Sequence, residues 1–278
     1  MSAARTILVT GCSSGIGYAC AKLLKERGWR VFATVRKDAD LVRLEAEGFE
    51  ALRLDYTEPV TISECVAEVA GRTGGGLFAL FNNGAYGQPG ALEDISRAAL
   101  TAQFEANVFG WHELTRDCLK LMRANGEGRI VNNSSVLGLT AMKWRGAYCA
   151  SKFAIEAMSD TLRLELAGSN IHVSLIEPGP IATRFVEHAL AAFERNVDEE
   201  ASHYRDAYAR QRGRLAGGGT RRFKLPPEAV ARKLLHALES RKPRRRYYVT
   251  VPTYVMAWAR RLLPPPALDR LLHKASDQ

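Results

Sequence analysis

Tyr148 and Lys152 stand four residues apart in the stretch YCASK, and Ser135 lies upstream of them. On a helix, positions i and i+4 share a face, so the lysine ammonium can lie beside the tyrosine phenol. A free phenol titrates near ~10 and is a poor base at neutral pH. A neighbouring cation favours the phenolate, and lowering the titration by ~3 decades asks ~4 kcal/mol of the surroundings. A phenol tuned in this way takes a proton from an alcohol or returns one to a nascent alkoxide, while a nearby serine hydroxyl donates a hydrogen bond to the reacting oxygen. Singly these residues are ordinary, since the spacing arises by chance in many helices and a serine after a strand is most often a cap. What gives them weight is the opening of the chain, TGCSSGIG from Thr10 to Gly17. A glycine-rich turn followed in order by serine, tyrosine and lysine is the layout of a hydride-transfer enzyme.

The glycine turn has its own chemistry. Gly11, Gly15 and Gly17 allow a tight turn and close approach of a pyrophosphate, whose charge meets the amino end of a helix beginning near Ile16. The end of the second expected strand is more discriminating. A free ribose 2′-hydroxyl calls for an acidic residue there, whereas a 2′-phosphate calls for a cation. This chain has Val35, Arg36 and Lys37, with no carboxylate before Asp38. Arg36 suits a charge-assisted contact to phosphate, and Ser14 can add a hydroxyl, so NADP(H) is the expected cofactor. Asp55 either accepts a hydrogen bond from the adenine amine or caps the helix that follows.

These residues need a scaffold, and the alternation of short apolar runs with amphipathic stretches supplies one. Strands are expected at Thr6 to Thr10, Arg30 to Val35, Glu50 to Leu54, Leu77 to Phe81, Arg129 to Asn133, His172 to Ile176 and Tyr247 to Val251. Helices between them, ending at glycines such as Gly28 and Gly48, imply an α/β fold: one domain over 1–278 with a doubly wound, seven-stranded parallel sheet. The charged, helix-prone segment 183–219 reads as a lid over the substrate, hinged at Gly217 to Gly219, and 252–278 as a basic C-terminal extension.

Composition bounds the class. The chain is 46% hydrophobic and 25% charged, ordinary for a globular protein, and no apolar run approaches the ~18 residues of a membrane span, so a cytoplasmic protein is expected. Five cysteines without a CxxC pair read as reduced thiols, and the histidines lack metal-ligand spacing, so no metal is expected. The net charge of +9 gathers toward the C-terminal end, at Arg221 and Arg222, Arg241 to Arg246, and Arg260 and Arg261. A solvated basic face is the plain account, contact with an acidic membrane surface comes next, and nucleic acid is not expected as a partner.

With these residues in place, the chain resembles the short-chain dehydrogenase/reductase family from about Thr6 to Phe185. Its branch that holds 17β-hydroxysteroid and retinol dehydrogenases, with bacterial aldehyde-reducing relatives, is the most similar. The resemblance implies a catalytic set of Asn107, Ser135, Tyr148 and Lys152, with Asn107 kinking its helix and holding a relay water. It implies cofactor contacts at Gly11, Ser13, Ser14, Gly15, Ile16, Gly17, Arg36, Lys37, Asp55, Tyr56, Asn83, Gly84, Tyr148 and Lys152. The turn PGPIAT adds Pro178, Gly179, Ile181 and Thr183, beside the nicotinamide carboxamide. One departure stands out: the family's NNAG after the fourth strand is NNGA here, Asn82 to Ala85. The family pattern also implies a homodimer or homotetramer paired through the helices at about Thr101 to Arg123 and Ala147 to Leu166.

The expected activity is NADP(H)-dependent interconversion of a carbonyl and an alcohol on a small apolar molecule, with Leu137, Met142, Trp144, Phe185 and Phe193 available either to line a pocket or to fill core. Two alternatives stand beside it, a non-catalytic NADP(H)-binding regulator and an NAD(H)-dependent hydroxysteroid or retinol dehydrogenase.

Overall fold

The computed structural model describes residues 5–216 and 223–276. Seven strands, β1 (Thr6–Val9), β2 (Arg30–Val35), β3 (Glu50–Arg53), β4 (Ala79–Asn82), β5 (Gly128–Asn133), β6 (Ile171–Glu177) and β7 (Arg246–Tyr248), form one parallel sheet in the order β3-β2-β1-β4-β5-β6-β7. Successive strand residues point to opposite faces, and the sequence alternates accordingly. Ile7, Val9, Val31, Ala33 and Val35 meet α1 (Gly15–Glu26) and α9 (Glu228–Glu239) on one side. Leu8, Phe32, Leu80 and Ile130 meet α3 (Pro59–Thr73), α5 (Gly110–Asn125) and α6 (Gly146–Glu165) on the other. The remaining helices are α2 (Asp38–Ala46), α4 (Arg97–Phe104), α7 (Phe185–Asn196), α8 (Arg205–Ala216), α10 (Val251–Leu262) and α11 (Pro265–Ser276). The sheet order reverses between β1 and β4, and the loops at their carboxyl ends open the crevice where ligands of such folds bind.

The expected seventh strand reached Val251, but β7 stops at Tyr248 and Val251 starts α10. Pro252 explains the change, because it has no N–H for a ladder yet suits the first turn of a helix. The long helix expected over Thr101 to Arg123 is α4 and α5 joined through a π-helical turn at Glu105–Phe109. Gly28 and Gly48 end their helices at φ of 79° and 76°, the left-handed conformation glycine allows.

The expected lid segment folds as α7 and α8, and both are tied to the loop after β4. Tyr208 Oη donates to Asp94 and accepts from Ala91 N at 2.7 Å; Ser202 Oγ donates to Asp94 at 2.6 Å, and Asn196 Nδ2 to Gln88 Oε1 at 2.7 Å. The proposed hinge Gly217 to Gly219, with Arg221 and Arg222, lies outside the described residues. All five cysteines are buried free thiols. No helix among the described residues is long and apolar enough to cross a membrane.

Candidate active site

Tyr148, Lys152, Glu156 and Asp160 follow one another at four-residue intervals along α6, on one helix face. Ser135 begins the short 3-10 turn Val136–Gly138 directly after β5, in extended backbone, and its Oγ accepts from Leu137 N at 3.1 Å. The structure brings Ser135 to Tyr148, whose phenol it hydrogen-bonds, while burial dominates and lifts the phenol above its ordinary value. Lys152 is fully buried, and its Nζ donates to Asn133 O at 2.8 Å and lies 4.4 Å from the Trp111 ring centroid and 5.7 Å from that of Tyr148. Burial holds its ammonium down to about 7, with the Glu156 carboxylate opposing.

In the protein alone, burial raises the phenol, with the Ser135 hydrogen bond and the Arg145 charge acting in the opposite sense.

Asn107 sits in the π-helical turn, as a helix-kinking residue should. Its amide brackets one backbone unit, Nδ2 donating to Tyr86 O at 2.9 Å and Oδ1 accepting from Tyr86 N at 3.2 Å. It also donates to Ser151 Oγ at 3.2 Å, so the side chain fixes the loop after β4 against α6.

The glycine loop has the shape a pyrophosphate needs. Gly11 and Gly15 have φ of 69° and 60°, and a Cβ on Gly17 would lie 2.2 Å from Gly11 O. Ser14 stands at the N-cap of α1 without using its hydroxyl as a cap, and no acidic residue occupies the first turn. That leaves a positive helix end facing the crevice. Ser13 is exposed and its carbonyl accepts from Arg43 at 2.8 Å, while Ile16 packs against the core. Thr183 closes the far side of the crevice: its Cγ2 lies 3.0 Å from where a Gly15 Cβ would be. In the same turn Pro178 O accepts from Val136 N at 2.8 Å and Ile181 bridges Leu225. Gly179 cannot be larger, because a Cβ would meet Thr250 Oγ1 at 2.1 Å.

At the end of β2, Arg36 is 69% exposed, with Nη1 3.9 Å from Asp55 Oδ2; Lys37 is exposed beside it. The other Asp55 oxygen accepts from Thr57 N and Oγ1 at 3.0 and 2.8 Å, so Asp55 braces its own turn rather than capping α3. Burial first, and then the cations Arg184, Arg36 and Lys37, hold His188 on α7 below the ordinary imidazole range. Positive charge thus gathers around one place in the crevice from β2 and α7.

Tyr56 turns inward, its hydroxyl donating to Thr10 Oγ1 at 2.8 Å and Asn82 Oδ1 at 3.2 Å. Its side chain supports the crevice floor, and its main chain is the part left to meet a cofactor. This inward ring also explains the inverted NNGA. An alanine at position 84 would put its Cβ 3.2 Å from Tyr56 Cε2, so glycine stands there, and Trp111 Nε1 and Thr10 Oγ1 fasten its backbone at 2.8 and 3.1 Å. Asn83 keeps its place, donating to Thr10 O and accepting from Asn133 Nδ2, both at 2.9 Å.

Of the apolar residues offered for a pocket, Phe185 packs on Tyr148 with ring centroids 5.4 Å apart. Trp144 and Phe193 instead meet Tyr208 edge-on, where α7 and α8 pack together, and Leu137 is buried, so these three serve packing.

Sequence reading missed the supports. Trp111 and the Asn133 carbonyl hold Lys152, and Arg246 on the edge strand β7 binds Glu156, Glu177 at 2.8 Å and Asp160 at 2.6 Å. That guanidinium pins the end of β6, and with it the turn starting at Pro178, to the helix bearing Tyr148 and Lys152. The only available signal was the four-residue ladder continuing past Lys152.

The sequence matches the family described as short chain dehydrogenase over residues 5–192. It is 44% identical to an uncharacterized oxidoreductase, YbbO, of Escherichia coli K12, across 96% of this chain and 94% of that protein. Retinol dehydrogenase 8 of Homo sapiens is 36% identical, across 74% of this chain and 70% of its own length. The NADPH-dependent 3-dehydrocapnine reductase of Ornithobacterium rhinotracheale is 33% identical, across 97% and 96%. The parallel sheet, the glycine crevice and the Ser135, Tyr148, Lys152 constellation agree with these matches, and the chain belongs to the short-chain dehydrogenase family of oxidoreductases.

Proposed function

We propose that this protein is an NADP(H)-dependent reductase that converts an aldehyde or ketone of apolar character to an alcohol, and the reverse, with Tyr148 as acid and base. The observation that carries the reading is the junction of Ser135, Tyr148 and Lys152 at the mouth of a crevice fitted for a dinucleotide.

The residues present fit that cofactor. The α1 amino end, Ser14 and the three loop glycines would hold the pyrophosphate, and Arg36, with Lys37 and His188 nearby, would meet a 2′-phosphate. The bound nicotinamide supplies the hydride. Ser135 Oγ donates a hydrogen bond to the carbonyl oxygen and fixes it beside Tyr148. The protonated phenol gives its proton to the oxygen as negative charge develops there. Lys152, held by Asn133 O and Trp111, places a cation near the phenolate that remains. Asn107 keeps the loop after β4 in register with α6. Phe185 excludes water from the phenol and gives the substrate side an apolar wall; with α7 and α8 it forms a lid latched through Asp94 and Tyr208. The relative named as an NADPH-dependent reductase and the one named as a retinol dehydrogenase support the cofactor and the apolar substrate.

Homo-oligomerisation fits the same reading, since Phe109, Met158 and Leu164 leave apolar area exposed on and beside α5 and α6. The intact proton-transfer set disfavours a purely sensory role, because cofactor binding alone requires neither Ser135 nor Tyr148.

The test is a panel of aldehydes, retinoids and ketosteroids assayed with NADPH and with NADH, with both dissociation constants measured for the wild type and Arg36→Ala. Loss of one charge-assisted contact weakens NADPH roughly tenfold to a hundredfold and leaves NADH unchanged. Equal binding of the two cofactors by the wild type, or equal weakening of both by Arg36→Ala, removes the NADP(H) assignment.

A further inference from the structure

We infer that α10 is a docking face for an anionic lipid bilayer. Val251, Tyr254, Val255, Trp258 and Leu262 recur at helical spacing and are all exposed, Trp258 to 57% and Leu262 to 72%. The opposite side of the helix, with Thr253 and Ala257, is buried against the domain. Surface apolar residues are normally scattered, and a contiguous stripe marks a surface meant to be covered.

Charge selects the occupant. Arg261 borders the stripe, its guanidinium 6.0 Å from the Trp258 ring centroid. The pair α10 and α11 carries four cations, Arg260, Arg261, Arg270 and Lys274, against one acid, Asp269. A second copy would present the same excess of positive charge and be repelled. Anionic headgroups complement it, and an aromatic-aliphatic stripe edged by arginine is the composition of a helix lying in a membrane interface.

The helix is held firmly in place for this role. Arg260 points the other way, donating to Leu139 O and lying 4.8 Å from the Phe153 ring centroid. Lys143 N donates to Ser276 Oγ at 3.2 Å, so α11 ends on the loop leading into α6. The basic run Arg241 to Arg245 precedes β7 and lies outside the stripe.

The test is flotation of the full chain with phosphatidylcholine vesicles, with and without phosphatidylglycerol, at low and high salt. Binding is expected only to the anionic vesicles and is weakened by salt. Trp258→Glu and, separately, Val255→Glu should each lower partitioning by roughly tenfold or more at unchanged melting temperature. Because these positions are exposed, folding is expected to survive; acyl-brominated lipid gives a second readout on intact protein. In a Trp144→Phe background it should quench the protein and spare the form that also carries Trp258→Phe, since the remaining Trp29 and Trp111 are buried. No flotation with anionic vesicles overturns the inference. So does loss of flotation only on replacing Arg241, Arg244 and Arg245, or light scattering in which Trp258→Glu dissolves an oligomer while vesicle binding persists.

Discussion

Glu177→Gln should remove a stability term that the wild type loses as pH rises. Glu177 has no exposure, and one of its carboxyl oxygens lacks a hydrogen-bond partner among the described residues. It shares the single guanidinium of Arg246 with Glu156 and Asp160. Three carboxylates facing one cation in a dry site retain a proton, and burial together with the Glu156 charge raises the Glu177 carboxyl from 4.5 to about 8. The proton belongs to the Glu156 and Glu177 pair, since burial raises Glu156 as well. A carboxyl whose titration is raised on folding binds a proton that the unfolded chain releases. Its contribution is therefore complete below about 4.5 and is lost as pH climbs toward about 8. At about 1.4 kcal/mol per pH unit, that interval corresponds to roughly 4 to 5 kcal/mol. Glutamine imitates the protonated acid, can still accept from Arg246, and does not titrate. Urea unfolding at pH 5, 6.5 and 8 should show wild-type stability falling relative to Glu177→Gln by several kcal/mol across the series. A difference that stays constant with pH would refute the shared proton and the reasoning built on it.

Three further outcomes follow from particular contacts. Gly17→Ala forces a Cβ against the Gly11 carbonyl, so it should cost about 1 to 3 kcal/mol of stability and weaken either nicotinamide cofactor at least tenfold, read by thermal melting and fluorescence titration. Tyr208→Phe leaves Asp94 and Ala91 N short of a partner, at about 1 to 3 kcal/mol, and loosens α8 from the loop after β4; on the proposed lid role of α7 and α8, KM for an apolar carbonyl should rise more than kcat falls, with cofactor affinity unchanged. Gly84→Ala should destabilise by about 1 kcal/mol or more through Tyr56, and the double variant with Tyr56→Leu should recover part of that loss in a melting cycle.

The parts of this molecule that repeat a local rule were legible in the sequence. Six strands were placed within about two residues because alternation and buried apolar runs mark them, and the glycine loop was found because only glycine allows its turns and close approaches. The i, i+4 rule put Tyr148 and Lys152 on one face. What escaped depended on contacts between distant segments. Arg246 read as one cation in a basic run, and nothing local shows that it reaches three carboxylates on α6 and β6. The inverted NNGA became intelligible only when the Tyr56 ring was found beneath Gly84. Trp144 and Phe193 suited a pocket by type and fill packing by position, since the meeting of both with Tyr208 is set by tertiary contacts. No spacing reveals the burial that raises the Tyr148 phenol in the protein alone.

The account turns on proton transfer by Tyr148. The most direct measurement is single-turnover NADPH oxidation with an accepted carbonyl substrate by wild type and Tyr148→Phe, alongside each protein's NADPH dissociation constant. Removing the phenolic hydroxyl should slow turnover by ~10² or more while NADPH affinity stays unchanged. A variant that binds NADPH normally and keeps a third of wild-type turnover would contradict it.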